Sequence, residues 1–138
     1  MKKKIAILGS TGSIGKTLFK ILKKDKIKFE ITLLTANKNV KELLKQVKIF
    51  KVKNIIITDN KKFLFLKKNL HKSKIKIYNN FDNIDNIFAK IKNDYVMSSI
   101  TGIEGLNPTL KIIKHTKKIA IANKESIVCG WSLIHEKL

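Results

Sequence analysis

Half of the chain's six glycines fall within seven residues, at Gly9, Gly12 and Gly15. The segment reads GSTGSIG and follows a β-branched apolar run from Ile5 to Leu8. In such a loop the first glycine allows a sharp turn, the second lets a pyrophosphate approach the backbone, and the third lets the helix pack against the strand. The order of strand, glycine loop and helix therefore predicts a βαβ unit that binds a dinucleotide at the helix N-terminus.

Short β-branched runs alternate with longer amphipathic stretches along the whole chain. The predicted strands are Ile5 to Leu8, Ile31 to Leu34, Asn54 to Ile57, Ile75 to Tyr78, Tyr95 to Ser98 and Ile119 to Ala122. Apolar residues at helical spacing predict two helices, through Ile14, Leu18, Ile21 and Leu22 and through Val40, Leu43, Leu44, Val47 and Phe50. This pattern predicts one α/β domain over 1–138, a Rossmann-like doubly wound, mainly parallel sheet with helices on both faces. The periodicity is weakest between positions 61 and 92, where Lys and Asn dilute it.

Three asparagines occupy positions typical of helix starts. Asn39 precedes Glu42 by three residues, as in a capping box. Asn107 is followed by Pro108, which predicts a proline at the first helical position. Asn123 follows the last predicted strand and is expected to cap the final helix.

The net charge of +20 does not by itself indicate a nucleic-acid partner. All 30 basic residues are lysines, and they accompany abundant Ile and Asn, which share A- and T-rich codons. Arginine is absent and aromatic residues make up only 7%, so the bidentate and stacking contacts of specific nucleic-acid recognition are missing.

No apolar run reaches the roughly 18 residues of a membrane span, so we expect a cytoplasmic protein. The lone Cys129 excludes an internal disulfide and is expected to be a small buried residue.

The loop and the end of the second strand indicate which nucleotide binds. The loop lacks the GK[ST] ending of a triphosphatase, and Thr11 and Ser13 can donate hydroxyl hydrogen bonds to phosphates. About 20 residues past the loop, where NAD-binding chains carry an acid, the sequence from Thr35 to Asn39 contains none. Lys38 offers a cation there, and together with the missing acid it favours NADPH over NADH, while the alternative is that Lys38 is one of thirty solvated lysines.

Polar residues follow the last predicted strand at Asn123, Lys124 and Glu125. The carboxyl ends of parallel strands are where ligands bind in open α/β sheets. A helix cap and a solvated ion pair would also explain these three residues.

Four segments together resemble the N-terminal domain of the 1-deoxy-D-xylulose 5-phosphate reductoisomerase family. They are GSTGSIG at 9–15, ANKNV at 36–40, TGIEGLNPTL at 101–110 and ANKESIV at 122–128. The resemblance covers essentially the whole chain, and ANKES is its most specific segment. It implies that the NADPH pyrophosphate binds to Thr11, Gly12, Ser13 and Ile14, and the ribose with its 2′-phosphate to Asn37, Lys38 and Asn39.

At the other end of the cofactor, the resemblance implies that Asn123 and Glu125 contact the nicotinamide half and that Lys124 reaches a sugar-phosphate substrate. The family usually has glycine where Asn37 stands. Because Asn tolerates left-handed backbone angles, we expect the turn to survive.

The resemblance implies rearrangement and NADPH-dependent reduction of 1-deoxy-D-xylulose 5-phosphate to 2-C-methyl-D-erythritol 4-phosphate, in isoprenoid biosynthesis. Such chemistry needs Mg²⁺ or Mn²⁺, and the ten scattered acids of this chain form no metal cluster. The family's metal carboxylates are expected after Leu138, so we expect no catalytic residue or metal ligand in this chain, and no turnover by it alone. The complete enzyme is expected to be a homodimer. The alternatives are another NADPH oxidoreductase, such as an aspartate-semialdehyde-type dehydrogenase, and a non-catalytic nucleotide-binding module.

Overall fold

Six strands form one sheet in the computed structural model, which describes all 138 residues. The strands are β1 (Lys3–Leu8), β2 (Phe29–Ala36), β3 (Asn54–Ile57), β4 (Lys76–Tyr78), β5 (Tyr95–Ser98) and β6 (Ile119–Ile121). Their order is β4-β3-β2-β1-β5-β6, and every neighbouring pair is parallel. The chain adds strands on one side of β1 up to β4 and then returns to place β5 on the other side. The sheet therefore has a topological switch point between β1 and β5, where α/β proteins bind ligands.

Helices cover both faces of the sheet, as predicted. They are α1 (Ser13–Lys24), α2 (Val40–Phe50), α3 (Asn60–Asn69), α4 (Ile84–Ile87), α5 (Leu106–Ile112) and α6 (Lys124–Lys137). Alternate side chains of β1 point to opposite faces. Ile5 and Ile7 join a core with residues of α1, α2 and α3, whereas Ala6 and Leu8 join a second core with residues of α4 and α5. The doubly wound fold and all six predicted strands are confirmed, with ends that differ by at most two residues.

The predicted apolar stripe of α1 is partly wrong. Ile14 and Ile21 are 46% and 58% exposed, whereas Gly15, Phe19 and Leu22 face the core. The close approach of Gly15 to the loop sets the rotation of the helix and turns Ile14 outwards. The stripe of α2 is confirmed, with Leu43 and Val47 buried and Val40, Leu44 and Phe50 partly buried against the same core.

Two of the three predicted helix starts are confirmed. The side chains of Asn39 and Asn123 accept hydrogen bonds from the backbone N–H groups three residues ahead. The prediction for Asn107 and Pro108 is wrong, because a 3₁₀ turn at Ile103–Gly105 leads into α5, which begins at Leu106. Pro108 is the third helical residue, where the missing N–H costs no intrahelical hydrogen bond.

Cys129 is exposed, contrary to expectation. The buried face of α6 is made by Ser126, Gly130 and Ile134, which recur every four residues. A Cβ atom at Gly130 would lie 2.8 Å from Leu106 Cδ2, so α6 packs closely on α5. This contact turns Cys129 outwards. None of the six helices has the length and apolar content of a membrane-spanning segment.

Candidate functional site

A cleft of about 380 Å³ opens at the carboxyl edge of the sheet, over the switch point. It is lined by Gly9, Thr11, Gly12, Thr35, Ala36, Asn37, Thr58, Phe81, Ser99, Ile100, Thr101, Glu104, Asn107 and Pro108. Of the sequence-predicted site residues, the cleft lining includes Thr11, Gly12 and Asn37. The walls come from the segments that follow β1, β2, β3, β4 and β5.

The glycine loop forms the floor of this cleft, and its three glycines differ in how closely other atoms approach them. Gly9 has φ +76°, and a Cβ atom there would lie 2.9 Å from the carbonyl oxygen of Ser99. A Cβ atom at Gly15 would overlap the Gly9 carbonyl oxygen and lie 2.7 Å from Ser10 Cα. Gly12 faces open space, since a Cβ atom there would meet only the Gly9 carbonyl oxygen, at 3.6 Å. The first and third glycines are therefore required by packing, whereas the second leaves room for a ligand.

Two residues that sequence reasoning missed hold the loop in place. Thr35 Oγ1 accepts a hydrogen bond from Gly9 N–H (2.9 Å), and the Thr35 carbonyl accepts one from Ser10 N–H (2.9 Å). The Gln46 side-chain amide, which is 1% exposed, donates to the Ser10 carbonyl (2.9 Å). The loop is thereby fixed to both β2 and α2. The only signal for Gln46 in the sequence was its polar side chain at a position of α2 that is expected to face the core.

The N-terminus of α1 has no side-chain cap. Its N-cap residue is Gly12, whereas α2, α3 and α6 are capped by the side chains of Asn39, Asp59 and Asn123. The first N–H groups of α1 therefore point outwards without a side-chain acceptor, together with the positive end of the helix dipole. This arrangement suits a phosphate group. Ser13 and Ile14 are both exposed at this helix start.

The three predicted residues of the segment after β2 lie in three different environments. Asn37 lines the cleft, and its side-chain oxygen accepts a hydrogen bond from Thr58 Oγ1 (3.0 Å). Its φ is not positive, so the turn survives without the left-handed conformation that we expected. Asn39 caps α2 through Glu42 N–H (3.1 Å). Lys38 is exposed and lines a second cavity beside the cleft.

The segment after β6 is close to the cleft but does not line it. Asn123 is 5% exposed, and its amide group donates to the carbonyl oxygens of Ile100 and Gly102 while its oxygen accepts from Ser126 N–H (3.1 Å). Lys124 is exposed and Glu125 is half-buried. Asn123 thus joins the loop after β5 to the start of α6.

Most of the cleft wall was not predicted from sequence. The missed residues after strand ends include Thr58, Phe81 and Ser99. Thr58 and Ser99 directly follow a strand and Phe81 lies three residues after one, and these positions were the available signal. Glu104 is the one charged residue of the lining, and it lies in the 3₁₀ turn before α5.

The ionisable groups with shifted pKa values lie outside the cleft. The pKa of Asp94 is lowered, first by the Lys4 backbone N–H (2.8 Å from Oδ2) and then by the Lys117 ammonium group. The pKa of Asp85 is lowered by its hydrogen bonds with His115 and Lys114. No group of three or more His, Cys, Asp or Glu side chains is arranged to hold a metal ion. The residues of this chain therefore do not fit a catalytic metal.

Comparison with known proteins identifies the family. A family model for 1-deoxy-D-xylulose 5-phosphate reductoisomerase matches residues 5–130. The chain is 59% identical over 137 residues to the reductoisomerase of Pelagibacter ubique and 39% identical over 135 residues to that of Phocaeicola vulgatus. These matches cover 99% and 98% of the chain but 35% of each relative. The chain thus spans about a third of the length of the curated relatives that it matches.

Solved structures of 1-deoxy-D-xylulose 5-phosphate reductoisomerases share the fold. The reductoisomerase of Zymomonas mobilis in complex with NADPH superposes with a TM-score of 0.87 at 31% identity, over 99% of this chain and 36% of that one. A reductoisomerase in complex with NADPH, fosmidomycin and magnesium gives 0.86 at 28% identity, over 98% and 33%. The family model and the relatives favour the reductoisomerase family over an aspartate-semialdehyde-type dehydrogenase. The chain belongs to the 1-deoxy-D-xylulose 5-phosphate reductoisomerase family.

Proposed function

We propose that this chain binds NADPH in the cleft at the switch point and forms the nucleotide-binding domain, residues 1–138, of a reductoisomerase. The observation that carries the proposal is the start of α1, which has no side-chain cap and whose N-cap residue, Gly12, borders open space. Gly12 has neither a Cβ atom nor a side-chain acceptor to offer, so the N–H groups of Ser13, Ile14 and Gly15 are available to an anion, whereas the Gly12 N–H donates to the Gly9 carbonyl (3.3 Å).

The pyrophosphate of NADPH is assigned to Thr11, Gly12, Ser13 and Ile14. Backbone N–H groups at the helix start bind the phosphate oxygens, and the hydroxyls of Thr11 and Ser13 add donors. The fixed contacts of Thr35 and Gln46 keep the loop in this shape before the ligand arrives. A preorganised loop lowers the ordering cost of binding.

The adenosine half is assigned to Asn37, Lys38 and Asn39. No acid follows β2 before Glu42, so the segment after β2 brings no carboxylate near a 2′-phosphate. Lys38 supplies a positive charge there. This distribution of charge supports preference for NADPH over NADH.

The nicotinamide half is assigned to Asn123 and Glu125, and Lys124 is assigned to the sugar-phosphate substrate. The amide of Asn123 is already engaged by Ile100, Gly102 and Ser126. Asn123 therefore shapes the nicotinamide end of the cleft through the loop after β5. Lys124, exposed beside it, is free to bind a substrate phosphate.

The reaction proposed for the complete enzyme is the rearrangement and reduction of 1-deoxy-D-xylulose 5-phosphate. When bound, NADPH supplies the hydride, and this chain holds and orients it. We propose further that the complete enzyme is a cytoplasmic homodimer.

A fluorescence titration with NADPH tests the cofactor site. The chain should change the nicotinamide emission saturably, and Gly12→Val should abolish the change because its side chain fills the pyrophosphate position. Thr17→Val is a control that places a valine at an exposed position of the same helix, where it removes only the hydrogen bond from Thr17 Oγ1 to the Ser13 carbonyl. Saturable binding by Gly12→Val equal to that of the native chain would overturn the proposed site.

A further inference from the structure

A second cavity, of about 370 Å³, adjoins the cleft on the side of β3. It is lined by Lys38, Val40, Asp59, Lys61, Lys62 and Phe65. The cleft lining includes Asn37 and Thr58, which are hydrogen-bonded to each other, and the second cavity begins at the next residue of each segment. The two cavities therefore lie side by side at the ends of β2 and β3.

The second cavity has an excess of positive charge. Three of its six residues are lysines, and none of the three forms an ion pair in the structure. The single acid, Asp59, caps α3, and its carboxylate accepts a hydrogen bond from Lys62 N–H (3.1 Å). The formal charge of the lining is thus positive even with Asp59 ionised. Such a cavity suits a group with two negative charges.

An exposed aromatic ring forms part of the same lining. The core-facing side chains of α3 are Phe63 and Leu66, whereas Phe65 is 54% exposed. Lys61 and Lys62 lie four and three residues before Phe65, so all three project from one side of the helix. Packing in the core therefore does not explain the phenylalanine at position 65. A flat ring next to unpaired lysines matches an aromatic ligand that carries a phosphate.

We propose that this cavity binds the phosphorylated adenosine of NADPH, with Lys61 and Lys62 joining Lys38 around the 2′-phosphate and Phe65 against the adenine ring. The inference rests on the proposed function and extends it to α3. Discrimination between NADPH and NADH then arises from two elements, the segment after β2 and the first turns of α3.

Calorimetric titrations of variants with NADPH and NADH test this assignment. The double variant Lys61→Gln with Lys62→Gln should weaken NADPH at least about tenfold, the effect of losing a charge-assisted hydrogen bond, and leave NADH unchanged. Lys68→Gln with Lys72→Gln is the matched control, because it removes the same charge from exposed positions outside the cavity. Phe65→Ala should weaken NADPH and NADH equally, since both carry adenine.

The outcomes separate this inference from the cofactor proposal. A double variant that keeps the native ratio of NADPH to NADH affinity overturns the role of the lysines, and unchanged affinities in Phe65→Ala overturn the adenine contact. In either case NADPH binding by the native chain still supports the cleft. Absence of NADPH binding by the native chain overturns both. All substituted side chains are exposed, and thermal unfolding confirms that each variant is folded.

Discussion

A side-chain carbon at Gly15 would collide with the carbonyl oxygen of Gly9. The two glycines mark the ends of the loop, and their contact brings the first turn of α1 against the end of β1. Nothing larger than hydrogen fits between them. The loop geometry that leaves Gly12 open therefore depends on Gly15.

We expect Gly15→Ala to destabilise the fold by about 1 to 3 kcal/mol or more, the usual cost of overpacking against rigid backbone. Gly12→Ala should cost less than about 1 kcal/mol, since its φ of −78° suits alanine and its nearest contact is at 3.6 Å. Urea denaturation of both variants measures the difference. Equal stabilities would show that the helix can move away from the loop.

Gln46 is the buried polar residue that connects α2 to the loop. Gln46→Leu keeps the volume but removes the donor to the Ser10 carbonyl; because it also removes Gln46 Oε1, which is buried without a partner, we expect a net cost of only about 1 kcal/mol. We also expect several-fold weaker NADPH binding, because the loop loses its hydrogen bond to α2. The substitution Lys48→Leu, on the exposed side of the same helix, controls for added hydrophobicity. NADPH affinity of Gln46→Leu equal to that of this control would contradict the anchoring role.

Asn123 both caps α6 and donates to two carbonyl oxygens, and one substitution separates these functions. Asn123→Asp keeps the acceptor for Ser126 N–H but removes the donors to Ile100 and Gly102. We expect a loss of about 1 to 3 kcal/mol from the unpaired carbonyls, together with weaker NADPH binding. Thermal unfolding and cofactor titration measure the two effects. Native behaviour of this variant would show that capping alone explains Asn123.

The lowered pKa of Asp94, which directly precedes β5, predicts that the stability of the fold depends on pH. The Lys4 N–H and the Lys117 ammonium group hold its pKa below the ordinary value of 3.8. The contribution of Asp94 to folding stability is therefore complete above about pH 4, where the same carboxyl group is also ionised in the unfolded chain. It is lost as the pH falls through the lower pKa that Asp94 has in the folded state. Asp94→Asn should lower Tm at pH 7, and the difference from the native chain should shrink at pH 3. A difference that is constant with pH would contradict this.

Local patterns predicted the strands and the glycine loop because β-branched runs and glycine spacing depend on neighbouring residues. The cleft walls depend on strand order instead. Ser99 bonds to the carbonyl of Leu8, 91 positions earlier, because β5 returns to the side of β1. The sequence shows which residues follow a strand, but it does not show which strand ends meet.

Side-chain direction was the least predictable feature. Ile14 and Cys129 fit an inward position by residue type, yet close glycine contacts at Gly15 and Gly130 rotate their helices and turn both outwards. Lys61 and Phe65 lie in the stretch where periodicity is weakest, so the sequence did not associate them with Lys38. Their proximity follows from the parallel pairing of β2 with β3.

Calorimetric titration of the 138-residue chain with NADPH and with NADH is the most direct measurement of the cofactor assignment. We predict one binding site per chain, with NADPH bound at least about tenfold more tightly than NADH because of its additional phosphate. Absence of NADPH binding at millimolar concentration, or tighter binding of NADH, would contradict the assignment.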